Sequence, residues 1–290
     1  MRRKYKNAKN YLYLLPMLII VTAIFVYPVI SVIIGSTMTK SFDGEAFVGL
    51  NNYKMVFNDP LFIVAIKNNF ELFLTVPILT ITSLFIASIL SRKIRGWQFY
   101  RGIVFIPYIL SITVVGIIFS YILQYNGILN TVLRSLGLES LAIDWLGSEK
   151  YAMLTIALVI MWKQLGYGVI LFLARIQSID NSLYESAALD GASDFQQFLY
   201  ITIPQTLAIT EFYIVITIIE MLSWVFNYVY VMTSGGPGGS TYVLEFLIYK
   251  KAFGGGNYNI AQAVSVIVLL ISIVVIIIRQ IITRKGNDYE

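Results

Sequence analysis

Ser182-Leu-Tyr-Glu-Ser-Ala-Ala-Leu-Asp-Gly191-Ala-Ser-Asp-Phe-Gln-Gln-Phe-Leu-Tyr-Ile201-Thr-Ile-Pro204 is a polar, helix-forming island between two long apolar runs. It carries two helix-start patterns. Ser182 with Glu185, and Ser193 with Gln196, each set a hydroxyl three residues ahead of a side chain able to bond back to the N-cap amide. Gly191 stands just before the second pattern, where a residue free to take positive φ ends one helix and lets another begin. Pro204 has no backbone N–H and is expected to stop the second helix before the next apolar run. A loop that only joins two spans needs no such construction. The island reads as a surface built to be gripped.

Composition sets the class around it. Hydrophobic residues make up 58% of the chain and charged residues 13%, against about a quarter charged in soluble domains. Mean hydropathy is +0.75. These values predict an all-α integral membrane protein. Six runs have the roughly 20 apolar residues that a hydrocarbon core requires: Tyr11–Gly35, Phe70–Leu90, Gly102–Leu123, Tyr151–Leu173, Thr206–Thr233 and Ile260–Ile282. Their length, and the lack of a ten-residue alternating rhythm, favour helices over a barrel. The first run is too long for a signal peptide and lacks a small-residue cleavage site, so it is read as a retained span. The expected organisation is a tail at 1–10, one transmembrane domain at 11–282 and a second tail at 283–290.

Basic residues orient the spans. Most of the 21 Lys and Arg fall on one side: Arg2, Arg3, Lys4, Lys6 and Lys9; Arg92, Lys93, Arg95 and Arg101; Arg175; and Arg279, Arg284 and Lys285. That excess puts both termini in the cytoplasm. The 182–204 island is then cytoplasmic and locally acidic, with Glu185, Asp190 and Asp194, which suits docking to a basic protein surface.

Cysteine and histidine are absent. Disulfides, thiolate and imidazole catalysis, and the usual zinc sites are thereby excluded. There is no Gly-x-x-x-x-Gly-Lys-Ser/Thr, so the chain has no P-loop of its own. The glycine-rich stretch 234–241 lacks the lysine and falls on the outer side, as a tight turn. The net charge of +5 follows from the inner basic clusters and carries no implication of nucleic acid. No metal or cofactor is expected in this chain.

Between the spans, 36–69 is read as an outer loop with an amphipathic piece at Leu50–Phe57. Segment 91–101 is a short inner turn, and 124–150 is an outer loop helical around Ile128–Leu136. Pro16, Pro28, Pro77 and Pro107 fall within spans, as packing kinks or as hinges.

Intramembrane polar residues are costly and therefore informative. The fourth span carries Trp162, Lys163, Gln164 and Tyr167. The fifth carries Thr217, Glu220, Met221, Trp224 and Asn227. Spacings of three, four and three put Thr217, Glu220, Trp224 and Asn227 on one helical face. Two readings stand. Lys163 and Glu220 pair with each other or snorkel, with the aromatics at an interface. Alternatively the two faces line a wet path, where rings stack on sugar faces and polar groups bond hydroxyls.

The island resembles the EAA loop of binding-protein-dependent ABC importer permeases: Glu-Ala-Ala, three residues, Gly, nine residues, Ile, one residue, Leu-Pro. Here the pattern runs Glu185-Ser186-Ala187, Gly191, Ile201 and Ile203-Pro204, with Ser186 and Ile203 as departures that keep the helix pattern. Val48-Gly-Leu-Asn-Asn-Tyr53, Asp59-Pro60, Asn68-Asn69, Phe105-Ile-Pro107, Gly127-Ile-Leu-Asn130, Asp144-Trp-Leu146, Leu189-Asp-Gly-Ala192 and Tyr230-Val-Met-Thr233-Ser-Gly-Gly-Pro237 resemble the carbohydrate branch of that family, and the Thr-x-Gly-Gly-Pro segment is similar to its maltose F-type and glycerol-phosphate A-type subunits.

The resemblance implies a type I ABC importer permease fold, with six transmembrane helices and a cytoplasmic coupling helix, in a bacterial cytoplasmic membrane. It implies half of a translocation path, completed by a second, homologous permease subunit in a heterodimer. Two ATPase subunits, which bind the ATP and magnesium, drive it, and an extracytoplasmic binding protein delivers a carbohydrate. The chain itself is then not an enzyme. The coupling contacts fall on Glu185, Ser186, Ala187, Asp190 and Gly191; the substrate path falls on the polar residues of the fourth and fifth spans named above. Two alternatives stay open: an ABC permease for another solute, such as glycerol phosphate, an amino acid or a polyamine, and an ion-coupled secondary transporter using Lys163 and Glu220 as a relay.

Overall fold

The computed structural model describes residues 13–41, 44–92, 95–255 and 257–287. The basic residues Arg2 to Lys9 and Lys93 lie outside them, as do the side chains of Arg279, Arg284 and Lys285. The chain forms two compact units. One is the chain up to Pro60 with Leu247–Leu270; the other is Leu61–Phe246 with the chain from Ile271.

In the first unit, α1 (Leu15–Gly35) is an apolar rod with a mean hydropathy of 2.8 and exposed side chains nearly throughout. Pro16 sits in its first turn, where the missing N–H costs nothing. Ahead of Pro28 the helix widens into a π turn at Thr22–Val26, with the Tyr27 N–H bonded to the Thr22 carbonyl. The wider turn gives room to a ring that would strike the carbonyl four residues back. A hairpin follows, β1 (Met38–Ser41) antiparallel to β2 (Gly44–Phe47) with Met38 opposite Phe47. It adds to the expected helical fold. The amphipathic piece is α2 (Asn51–Phe57), and Asn52 Nδ2 donates to the carbonyls of Ser36 and Met38 at 2.8 Å each.

The second unit holds the larger core. Residues 60–69, expected as loop, are helical: α3 (Pro60–Phe73) leads through Leu74 into α4 (Thr75–Ser91). Pro77 falls in the first turn of α4, where its missing N–H costs nothing. The third apolar run, expected as one span, is two helices, α5 (Trp97–Ile109) and α6 (Ile112–Ile122), bent by 97°. Leu110 and Ser111 are extended between them, with ψ of 143° and 137°. Next comes α7 (Ile128–Ser135), seated by Asn130, whose Nδ2 donates to the Ile143 carbonyl and whose Oδ1 accepts from Trp145 Nε1.

The centre of this unit is α8 (Ala152–Ile176), which packs on α4 and α5. Close packing rather than water release drives helix association in lipid, and Gly166 permits it here. A Cβ at that position would lie 2.4 Å from the Val104 carbonyl oxygen.

After α9 (Asn181–Leu189), helix α10 runs from Asp194 to Ser223. Two expectations change at this point. Pro204 does not stop the helix, because a π turn at Phe198–Thr202 accommodates it, with Ile203 N–H bonded to the Phe198 carbonyl. The span also does not reach Thr233. It ends at Ser223, and Trp224 takes φ −130° and ψ 0° before a separate α11 (Phe226–Met232). Then come the glycine-rich turn, α12 (Leu244–Tyr249) and the long α13 (Tyr258–Asn287). Among the described residues, five helices are long and apolar enough to cross a membrane, or six with the bent α5–α6 pair as one span.

Candidate functional site: a capped surface loop and a cavity between broken helices

The island is fixed by caps at each of its turns. Asp180, not Ser182, caps α9: its Oδ1 accepts from the Ser182 N–H at 2.9 Å. That bond, with one from the Ser182 hydroxyl, holds the Asp180 carboxyl below the usual carboxylate range. The expected box of Ser182 with Glu185 is absent because a carboxylate two residues earlier takes the cap. Glu185 and Ser186 are thereby left exposed on α9, and Asp190 is exposed as its C-cap.

The other end of α9 is a Schellman turn. Ala192 N–H bonds to the Ala187 carbonyl at 2.9 Å, Gly191 N–H to Ala188 at 3.1 Å, and Gly191 takes φ +84°. The second box forms as expected: Ser193 Oγ accepts from Gln196 N–H at 3.3 Å, and Gln196 Oε1 from Ser193 N–H at 2.7 Å. Side chains then tie the island to its spans. Tyr184 OH lies 3.0 Å from Thr202 Oγ1 on α10, and Arg175 Nε donates to the Gln205 carbonyl at 2.8 Å. Arg92 pairs with Asp194. Leu189 is left 89% exposed at the tip. A small, largely polar surface with a bare leucine at its tip is the result.

Far along the same two helices lies a cavity of about 470 Å³. Of the polar residues singled out in the sequence, Lys163 and Gln164 of α8, Glu220 and Met221 of α10, and Trp224 at the break all line it. Lys163 and Glu220 bond elsewhere than to each other. Lys163 Nζ donates to the Tyr108 carbonyl at 2.8 Å, and Gln164 Nε2 donates to Glu220 Oε2 at 2.9 Å.

Four others do not line the cavity. Trp162 is partly exposed with its ring edge-on to Phe119, and Tyr167 stacks on Tyr108 from behind. Thr217 is buried and bonded to the Tyr213 carbonyl at 2.7 Å. Asn227 lies on α11, so the single face of Thr217, Glu220, Trp224 and Asn227 does not exist; the break at Trp224 ends it.

The cavity also takes Phe105, Tyr108, Ile109 and Ile112 from the bent α5–α6 pair, and Tyr228 from α11. The signal for the first four was Phe105-Ile-Pro107, a proline closely followed by a serine inside an apolar run. Aromatic faces therefore meet a carboxylate and an amide in one pocket.

Comparison with known proteins places this arrangement. Residues 80–286 match the family described as "Binding-protein-dependent transport system inner membrane component". The chain is similar to the probable ABC transporter permease protein YurN of Bacillus subtilis (strain 168), at 35% identity over 96% of this chain and 97% of that one. It is also similar to the trehalose/maltose transport system permease protein MalF of Thermococcus litoralis, at 32% identity over 95% of each chain. The lactose transport system permease protein LacF of Rhizobium radiobacter is 30% identical over 93% of each. In fold, the chain matches a subunit of a bacterial ABC transporter involved in alginate import, with a TM-score of 0.86, 24% identity and coverage of 98% and 99%. The chain belongs to the family of inner-membrane components of binding-protein-dependent transport systems.

Proposed function

We propose that this chain is the permease subunit of an ATP-driven importer and forms half of the path for a carbohydrate. The observation that carries the reading is the cavity where Trp224, Tyr108 and Phe105 rings meet Gln164 and Glu220. Rings stack on sugar faces while amide and carboxylate bond hydroxyls, the combination a saccharide needs for orientation. Relatives named for lactose and for trehalose or maltose support a sugar.

The exposed α9, with Glu185, Ser186, Ala187, Asp190 and Gly191, is the element that an ATPase subunit grips on the cytoplasmic side. A second permease completes the path and an extracytoplasmic binding protein supplies the sugar. The two ATPases bind ATP more tightly in one conformer of the permease pair, and that difference drives the cores between inward- and outward-facing states. Thr202, tied to Tyr184 of α9, and Glu220 of the cavity share one helix. Eighteen residues at 1.5 Å each separate them, roughly 27 Å. A push on α9 thus reaches the cavity along a single rod.

The test is uptake into proteoliposomes holding the complete importer with its binding protein. Glu185→Ala should leave membrane insertion intact and abolish ATP-driven uptake, while Trp224→Ala should reduce uptake without loss of ATPase binding. Unchanged uptake in both, or uptake that collapses with the ion gradient and ignores ATP, would overturn the reading.

A further inference from the structure

The cavity is walled by two chain breaks, and each break is held by an ionisable side chain from another helix. At the first, α5 ends at Ile109 and the chain turns away through Leu110 and Ser111. The last carbonyls of a helix have no intrahelical partner and carry the negative end of its dipole. The buried Lys163 meets that end, with Nζ 2.8 Å from the Tyr108 carbonyl oxygen and 5.1 Å from the centre of the Tyr108 ring.

At the second break, α10 ends at Ser223 and α11 starts at Phe226, which leaves N–H groups at a positive helix end. Glu245 meets these, accepting from the Phe226 N–H at 2.8 Å and from the Val225 N–H. Asn69 fastens the element that carries Glu245. Its Nδ2 donates to the Met221 carbonyl and its Oδ1 accepts from the Leu244 N–H, both at 2.9 Å.

We infer that Lys163 and Glu245 are positioning residues of the transport path, each holding the end of a broken helix with the group that end attracts, a cationic donor at the carbonyl end and an acceptor at the N–H end. Tyr108, Ile109 and Ile112 form the wall set by Lys163; Trp224, Val225 and Tyr228 form the wall set by Glu245. Both walls lie at helix ends, where regular helix bonding runs out on one side and these two side chains take its place. The cavity's shape therefore depends on two side chains, and Glu245 is not itself among its lining residues. Treating the cavity as the path rests on the function proposed above.

The absence of cysteine from the chain makes the test direct. Ile112→Cys and Val225→Cys serve as reporters in the assembled importer, with its other subunits free of cysteine. A positively charged methanethiosulfonate reagent reads how readily water reaches each. Loss of a charge-assisted bond worth about 1.5–3 kcal/mol predicts that Lys163→Met raises labelling of Ile112→Cys at least about tenfold, with Val225→Cys unchanged. Glu245→Ala does the reverse. Lys163→Arg keeps the charge and Glu245→Gln keeps an acceptor, and both restore the parent rates. If Lys163→Met fails to assemble, Lys163→Leu carries the same comparison.

Equal rates in all variants, or loosening of both reporters by either variant, overturns the inference. No sugar enters the readout. Walls that loosen one at a time in an importer that moves no sugar would sink the path assignment and leave the two clamps in place.

Discussion

Tyr184 on α9 meets Thr202 on α10 through a 3.0 Å bond between their hydroxyls, so the exposed loop and the membrane helix share a direct tie. A side-chain bond of this kind has a net worth of about 0.5–1.5 kcal/mol. Tyr184→Phe deletes it and little else. In the reconstituted importer, ATP hydrolysis should persist while sugar uptake per ATP falls about threefold, the factor expected from a bond of that strength. An unchanged ratio would show that motion passes by another contact.

Gly191 occupies φ +84°, with open space where a Cβ would go. Strain alone, not collision, opposes a side chain there. Gly191→Ala should cost about 1–2 kcal/mol at the α9 C-terminus. Faster amide exchange at Gly191 and Ala192, whose N–H groups close the Schellman turn, is the expected signature. Gly191→Asn, which tolerates the left-handed region better, should lose less.

Arg92 and Asp194 form an ion pair on the same surface, with side chains 38% and 79% exposed. Exposure of that degree limits such pairs to about 0–1 kcal/mol. A double-mutant cycle of Arg92→Ala and Asp194→Ala should return a coupling energy within that range, shrinking further in salt. A larger value would make Arg92 a stronger brace than its exposure implies.

Glu245 supplies a pH dependence. Burial pushes its carboxyl from 4.5 up to about 7, against the pull of the Phe226 and Val225 N–H groups. The folded state therefore keeps a proton that the unfolded chain releases, and stability falls as pH rises. The favourable contribution is complete below about 4.5 and is lost as pH passes through about 7. Melting of the purified importer between these values should show the decline, and Glu245→Gln, which has no proton to lose, should flatten it.

Apolar run length carried the helical class and the number of candidate spans, though not where several of them begin and end, and the EAA spacing carried the family. Breaks inside apolar runs were not legible. Leu110 and Ser111 are as apolar or as small as their neighbours, and nothing local marks Trp224 as the end of a helix. The face drawn through Asn227 failed for that reason. Ser182 looked like a cap because its spacing to Glu185 was right, yet Asp180, two residues earlier, holds the bond. Lys163 and Glu220 invited pairing as opposite charges in lipid. Their partners are a carbonyl 55 residues away and the amide of Gln164, and contacts at such separations leave no trace in periodicity.

The π turn at Phe198–Thr202 also sets an angular phase. Each residue of an α-helix advances the face by about 100°. By taking up one extra residue, the π turn offsets everything beyond it by that amount relative to an uninterrupted helix. Glu220 and Trp224 face the cavity only in this offset. Deleting a single residue within 198–202, an apparently conservative repair to regular helix, would swing both side chains roughly a quarter turn around the axis. The proline two positions past the turn thus guards the azimuth of residues many turns away.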